Sequence, residues 1–207
     1  MKKRFVLLAL CAAMLAACAA ARAELVAETG MYNDTCIYRY VAPNGQELFY
    51  TGTPGAMDWP PRLQDVNFDG VDDVVVITAM GASNCWEQLF IWNGERYEHA
   101  AWNWGNDTGL PNAEYDPETK LVSTFSNDGL AGALHHCAVY RWDGAKLLMI
   151  RCAVAEETED GQRVHIRVRE AEYNGSERTY RLVWETVADS DARATDEEYA
   201  ALWRGLK

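Results

Sequence analysis

Asp65-Val66-Asn67-Phe68-Asp69-Gly70-Val71-Asp72-Asp73-Val74-Val75-Val76-Ile77 decides how this chain is read. Oxygen-bearing side chains alternate at Asp65, Asn67 and Asp69. Gly70 allows a turn that L-residues resist, and Asp73 closes the acidic part. A β-branched run follows at once. Calcium takes six to eight oxygen ligands, and a short loop supplies them only when alternate side chains turn inward around the ion. The spacing predicts a calcium loop with ligands from Asp65, Asn67, Asp69, the Val71 carbonyl and Asp73, leading into a strand buried on both faces. An EF-hand would place a bidentate Glu where Val76 stands, so that motif is excluded. Asp72 falls on the opposite side of an extended chain and is expected to face solvent. The plain alternative is an acidic β-turn, since Asn, Asp and Gly are also what turns use.

Working outward, four Asx-Gly pairs punctuate aromatic, strand-like segments: Asn44-Gly45, Asn93-Gly94, Asp143-Gly144 and Asn174-Gly175. Such pairs favour hairpin turns. The first three recur about every fifty residues, the period of propeller blades. Asp65 and Asp116, in Tyr115-Asp116-Pro117-Glu118-Thr119-Lys120, share that offset, so the second copy of the ion loop is reduced to a plain turn. Val164 to Arg169 alternates apolar and polar, as a half-buried strand does. Thr195 and Glu198 make a capping box for a closing helix over about 196–206, with Tyr199, Leu202, Trp203 and Leu206 on one face. The expected fold is all-β: a small propeller-like arrangement of antiparallel hairpins with a C-terminal helix, the alternatives being a β-sandwich or barrel.

The pattern Asp-x-Asn-x-Asp-Gly-x-x-Asp before an apolar run resembles the calcium loop of FG-GAP/VCBS-type repeats, known from integrin propellers. From Leu63 to about Ile150 the chain resembles a family of small exported bacterial proteins carrying one such loop. The matching pieces are the loop, Leu89-Phe90-Ile91-Trp92-Asn93-Gly94, Leu110-Pro111 with Tyr115-Asp116, and Tyr140-Arg141-Trp142-Asp143-Gly144. That family includes a periplasmic lipoprotein that inhibits a lysozyme-like toxin of a type IV secretion system. The resemblance implies a non-enzymatic, calcium-stabilised binding module, an inhibitor or immunity protein against a cell-wall-degrading enzyme.

The N-terminus carries Lys2, Lys3 and Arg4 before the apolar run Phe5 to Leu15, a signal peptide over 1–23. Ala21-Arg22-Ala23 fits ordinary cleavage, leaving 24–207 as one domain. Leu15-Ala16-Ala17-Cys18 fits a lipobox, with Cys18 lipidated. The protein is therefore expected outside the cytoplasm, soluble or held to a membrane only through that lipid. With Lys2, Lys3, Arg4 and Arg22 in the leader, the remainder carries 15 basic residues against 31 acidic ones. Phosphate backbones would be repelled, so nucleic acid is excluded as a partner, while a cationic protein such as a lysozyme-like enzyme would be attracted.

Four cysteines remain: Cys36, Cys85, Cys137 and Cys152. Export permits disulfides. Cys137 and Cys152 flank the Asp143-Gly144 turn, and a four-residue loop there would set them opposite each other, which predicts Cys137–Cys152 and, by elimination, Cys36–Cys85. Free thiols are the alternative. His135 and His136 are adjacent and point to opposite faces of a strand, which disfavours a shared metal. No serine has a nucleophile-elbow context. Trp102 and Trp104 share one side of an extended chain and offer a partner surface or a sugar-stacking platform, the plain alternative being packing between sheets. A carbohydrate-binding or hydrolytic envelope protein and a structural surface lipoprotein are the competing functional readings.

Overall fold

A computed structural model describes residues 24–29, 35–102, 109–130, 133–189 and 197–205. The leader and Cys18 lie outside them, as do Trp104, Thr195 and Leu206.

Three sheets are built almost wholly by neighbours in sequence. The first contains β1 (Glu24–Thr29), β2 (Thr35–Val41) and β3 (Glu47–Gly52). The second runs β4 (Arg62–Gln64), β5 (Asp73–Met80), β6 (Cys85–Trp92) and β7 (Tyr97–His99). The chain then lays β8 (Ala101–Trp102) against the third sheet and returns to place β9 (Leu110–Pro111) beside β6. The third sheet continues β10 (Glu114–Asp116), β11 (Leu121–Gly129), β12 (Leu134–Asp143), β13 (Lys146–Glu157), β14 (Arg163–Asn174) and β15 (Glu177–Asp189). Its β8–β13 pairing is parallel, and every other pairing in the three sheets is antiparallel. A helix, α1 (Glu197–Arg204), follows. The expected all-β class with a C-terminal helix holds, and no barrel closes among the described residues.

The Asx-Gly pairs turn the chain as their chemistry demands. They close β2–β3, β6–β7, β12–β13 and β14–β15, with Gly45, Gly94, Gly144 and Gly175 all at positive φ. The fifty-residue spacing thus marks one such hairpin in each sheet. The third sheet is longer because β14 and β15 extend it.

The sheets stack in chain order. Tyr38, Tyr40, Leu48 and Tyr50 of the first pack on Val74, Val76 and Phe90 of the second. Val75, Leu89 and Ile91, on the second sheet's other face, pack on Val122, Ala138, Tyr140, Leu147 and Met149 of the third. β5 is therefore buried on both faces, as its β-branched run predicts, and each fully buried valine stabilises the fold by about 1.5–3 kcal/mol. In β14, Val164, Ile166 and Val168 are buried and alternate with more exposed His165 and Arg167. The outer face of the third sheet is covered by α1: Tyr199, Leu202 and Trp203 pack on Cys137, Val139, Ala153 and Val168. Arg151 donates from Nη1 to the Leu202 carbonyl at 2.7 Å, capping the helix end. His135, fully buried, meets the Tyr199 hydroxyl at 2.9 Å.

The disulfide expectation is corrected here, for all four cysteines are free. The turn itself is centred as predicted: Asp143 pairs Lys146, and the ladder runs in step to Tyr140 opposite Met149. Continued without interruption, that register would set Cys137 opposite Cys152. Ile150 instead forms a β-bulge, and beyond it Val139 pairs Arg151, Cys137 pairs Ala153, and Ala138 pairs Cys152. A one-residue slip sends a side chain to the other face of a sheet. Cys137 consequently lies beneath α1, and Cys152 lies between the second and third sheets. Cys36 is buried beside Tyr38, whereas Cys85 pairs Met80 at the end of β6 and donates its N–H to Asn112.

Candidate functional site

The loop between β4 and β5 curls around its own acidic side chains. Phe68 and Gly70 both take left-handed conformations, at φ 64° and 90°. A non-glycine residue there is uncommon. Phe68 is held by packing against the core between the second and third sheets. The resulting curl points backbone N–H groups at the carboxylates. Asp65 accepts from the Asp69 N–H at 3.1 Å and the Gly70 N–H at 2.9 Å. Asp69 accepts from the Val71 N–H at 2.8 Å and from the Asn67 amide at 2.9 Å. Asn67 in turn accepts from the Asp69 N–H at 3.1 Å. Asp72 is exposed, as alternation predicts.

Asp73 is fully buried at the start of β5. One carboxylate oxygen accepts the Val66 N–H at 3.1 Å and the other the Trp92 N–H at 2.9 Å, joining both ends of the loop to β6. Burial pushes its pKa up to about 6, against those N–H groups, which act to lower it; nearby Asp69 adds a repulsion of like charge. Asp65, Asp69 and Asp73 make no ion pair among the described residues.

Two repeated tryptophans anchor this loop, a role that reading residues one at a time did not assign. Trp92 uses its backbone N–H, and Trp142 donates from Nε1 to the Val66 carbonyl at 2.7 Å. Each stands just before an Asx-Gly turn, so the repeated Trp-Asn-Gly and Trp-Asp-Gly triplets were the signal for it. Those turns meet the loop at one recess of about 580 Å³, lined by Asn67, Asp69, Val71, Asn93, Gly94 and Gly144 among others.

The donor set is oxygen alone, in a curled loop whose buried carboxylate has no ion-pair partner among the described residues, and that chemistry fits calcium. No three acidic, histidine or cysteine side chains among the described residues converge to hold a metal by themselves. An ion here would therefore draw on Asn67 and on backbone oxygen as well. Asp116, at the corresponding place in the third sheet, forms the expected plain turn, accepting from the Glu118 N–H at 2.9 Å and the Thr119 hydroxyl at 2.7 Å.

The other sequence-predicted residues do not join this loop. Trp102 lies in β8, paired with Leu147, and its side chain is outside the described residues. His135 and His136 point apart, His135 to Tyr199 and His136 to Asp128. A second polar centre escaped sequence reasoning. Asn112, at φ 42°, links β6 to β11 by accepting the Cys85 N–H at 2.9 Å and donating to the Phe125 carbonyl at 2.8 Å.

No family model matches the chain, and no curated protein matches it. A solved structure of a Xanthomonas type IV secretion system related protein is similar over 78% of this chain and 87% of that one, with 11% identity and a TM-score of 0.46. No helix among the described residues is long and apolar enough to cross a membrane.

Proposed function

We propose that this protein is an exported, calcium-braced binding module that acts by docking to a protein, not by catalysis. The observation that carries the reading is Asp73: a fully buried carboxylate beside Asp69, with no cationic side chain paired to either among the described residues. A divalent ion would supply the missing positive charge. Asp65, Asn67, Asp69 and Asp73 would hold it together with the Val71 carbonyl, and its part would be structural, fixing the loop and the turns beside it. The acidic surface suits a cationic partner, and the finer reading is inhibition of a lysozyme-like, cell-wall-degrading enzyme. Anchoring through Cys18 belongs to the same reading.

Melting curves with calcium and with chelator test the brace. At free calcium about 100 times the dissociation constant, the gain is roughly 2.7 kcal/mol. Asp69→Ala should abolish the difference, and identical curves for the unaltered protein would remove calcium from the proposal. Pull-down of peptidoglycan-cleaving enzymes at low and high salt tests the partner. A salt-sensitive complex that lowers enzyme activity is expected, and failure to retain any such enzyme at low salt counts against inhibition.

A further inference from the structure

β15 is thirteen residues long and is the terminal strand of the third sheet, with no strand beyond it among the described residues. Long apolar edge strands are templates for further pairing. Four of the large hydrophobic side chains exposed on this protein lie on it: Tyr180 at 40%, Leu182 at 47%, Val183 at 37% and Val187 at 45%. Nothing in the calcium reading uses this edge.

We infer that β15 pairs antiparallel with β15 of a second copy of this chain, making one continuous sheet across a two-fold axis. The register of the strand carries the argument. Val168 pairs Trp184 while Arg169 pairs Leu182, so Val183 is a bulge and the order of faces shifts across it. Arg181 and Thr186, opposite Glu170 and Ile166, share the face that α1 covers. Tyr180, Leu182, Glu185 and Val187, opposite Ala171, Arg169, Arg167 and His165, share the other. Two copies joined with Val183 opposite Trp184 match faces on both sides of the bulge. That register sets Tyr180 opposite Val187, Leu182 opposite Glu185 and Arg181 opposite Thr186, each within one face. A shift of one residue mismatches faces along the strand, and a shift that sets Trp184 opposite Glu185 mismatches them beside the bulge.

Charge agrees with this pairing. Arg181 meets Thr186 and Glu185 meets Leu182, so neither of these charges faces a like charge in the ladder. The exposed Tyr180 and Val187 cover each other at two symmetric crossings. A bulge that would protect this edge against an arbitrary strand here sits at the two-fold axis, where both copies bend together.

Sedimentation equilibrium of the chain from Glu24 onward, over about 1 to 100 µM, tests the inference. A monomer–dimer equilibrium is expected. Tyr180→Lys and Val187→Lys combined set like charges at both crossings and should weaken association at least about tenfold. The pair Tyr180→Lys with Val187→Glu sets opposite charges there and should restore it. Circular dichroism and melting confirm that each variant folds. A protein that stays monomeric throughout overturns the inference. So does a dimer whose strength the folded lysine pair leaves unchanged.

Discussion

Replacing Asp73 separates two opposing effects at the acidic loop. Its carboxylate takes the Val66 and Trp92 N–H groups inside the protein. Asp73→Ala strands both donors, at about 1–3 kcal/mol each, or roughly 2–6 kcal/mol in all. At about 2–4 °C per kcal/mol for a chain this long, melting in chelator should fall by roughly 4 to 24 °C. Asp73→Asn is different. It keeps one acceptor and removes the buried charge. The rise of the Asp73 pKa from 3.8 to about 6 corresponds to a penalty near 3 kcal/mol at neutral pH. Losing that penalty offsets the one stranded or mispaired N–H, so in chelator the asparagine variant should melt within about 2 kcal/mol of the parent. In calcium it should fall behind, because a charged ligand is gone.

The pH dependence follows from the sign of the shift. Between pH 4 and 6 the folded state binds more protons at Asp73 than the unfolded state does. Its favourable contribution is therefore fully present below 3.8 and is lost as pH rises through about 6. The parent should gain stability relative to Asp73→Asn when chelated samples are acidified from pH 7 to 4, measured by urea midpoints at each pH. Equal losses for the asparagine and alanine variants in chelator would refute the reasoning, since the buried charge would then carry no penalty.

Trp203→Ala should destabilise the protein by about 3–5 kcal/mol and expose the outer face of the third sheet, read by urea melts and by hydrogen exchange in β12 and β13. Gly109→Ala should be among the most damaging single changes. Its Cβ would stand 2.5 Å from the Glu87 carbonyl oxygen at a φ of 129°, and soluble yield and melting temperature measure the loss. Alkylation in denaturant without reductant should label Cys36, Cys85, Cys137 and Cys152 alike, and mass spectrometry counts the adducts. A cross-linked Cys137–Cys152 peptide would show that the bulge at Ile150 is misplaced.

Most of the fold could be read from local chemistry. Asn-Gly and Asp-Gly pairs turn hairpins because they enter left-handed backbone easily, and their spacing located a hairpin in each sheet. Alternation marked the buried face of β14, and an unbroken β-branched run marked β5 as a strand between two sheets. The acidic loop was visible because oxygen-bearing residues at alternate positions before a buried strand are an unusual pattern. Its anchors were only partly visible, since Trp142 reaches Val66 across 76 residues of chain.

By itself, then, the sequence determined the class of structure, the turns, the helix face that packs inward and the place of the acidic loop before β5. Each is set by residues within a few positions of one another. Tertiary structure alone decided the stacking order of the sheets, the burial of Asp73, the linking role of Asn112 and the separation of Cys137 from Cys152. A bulge illustrates why. One residue out of step costs the local chain little and leaves no mark in composition or periodicity, yet it moves every side chain beyond it to the opposite face. Whether that face meets a sheet, a helix or solvent depends on segments distant in sequence.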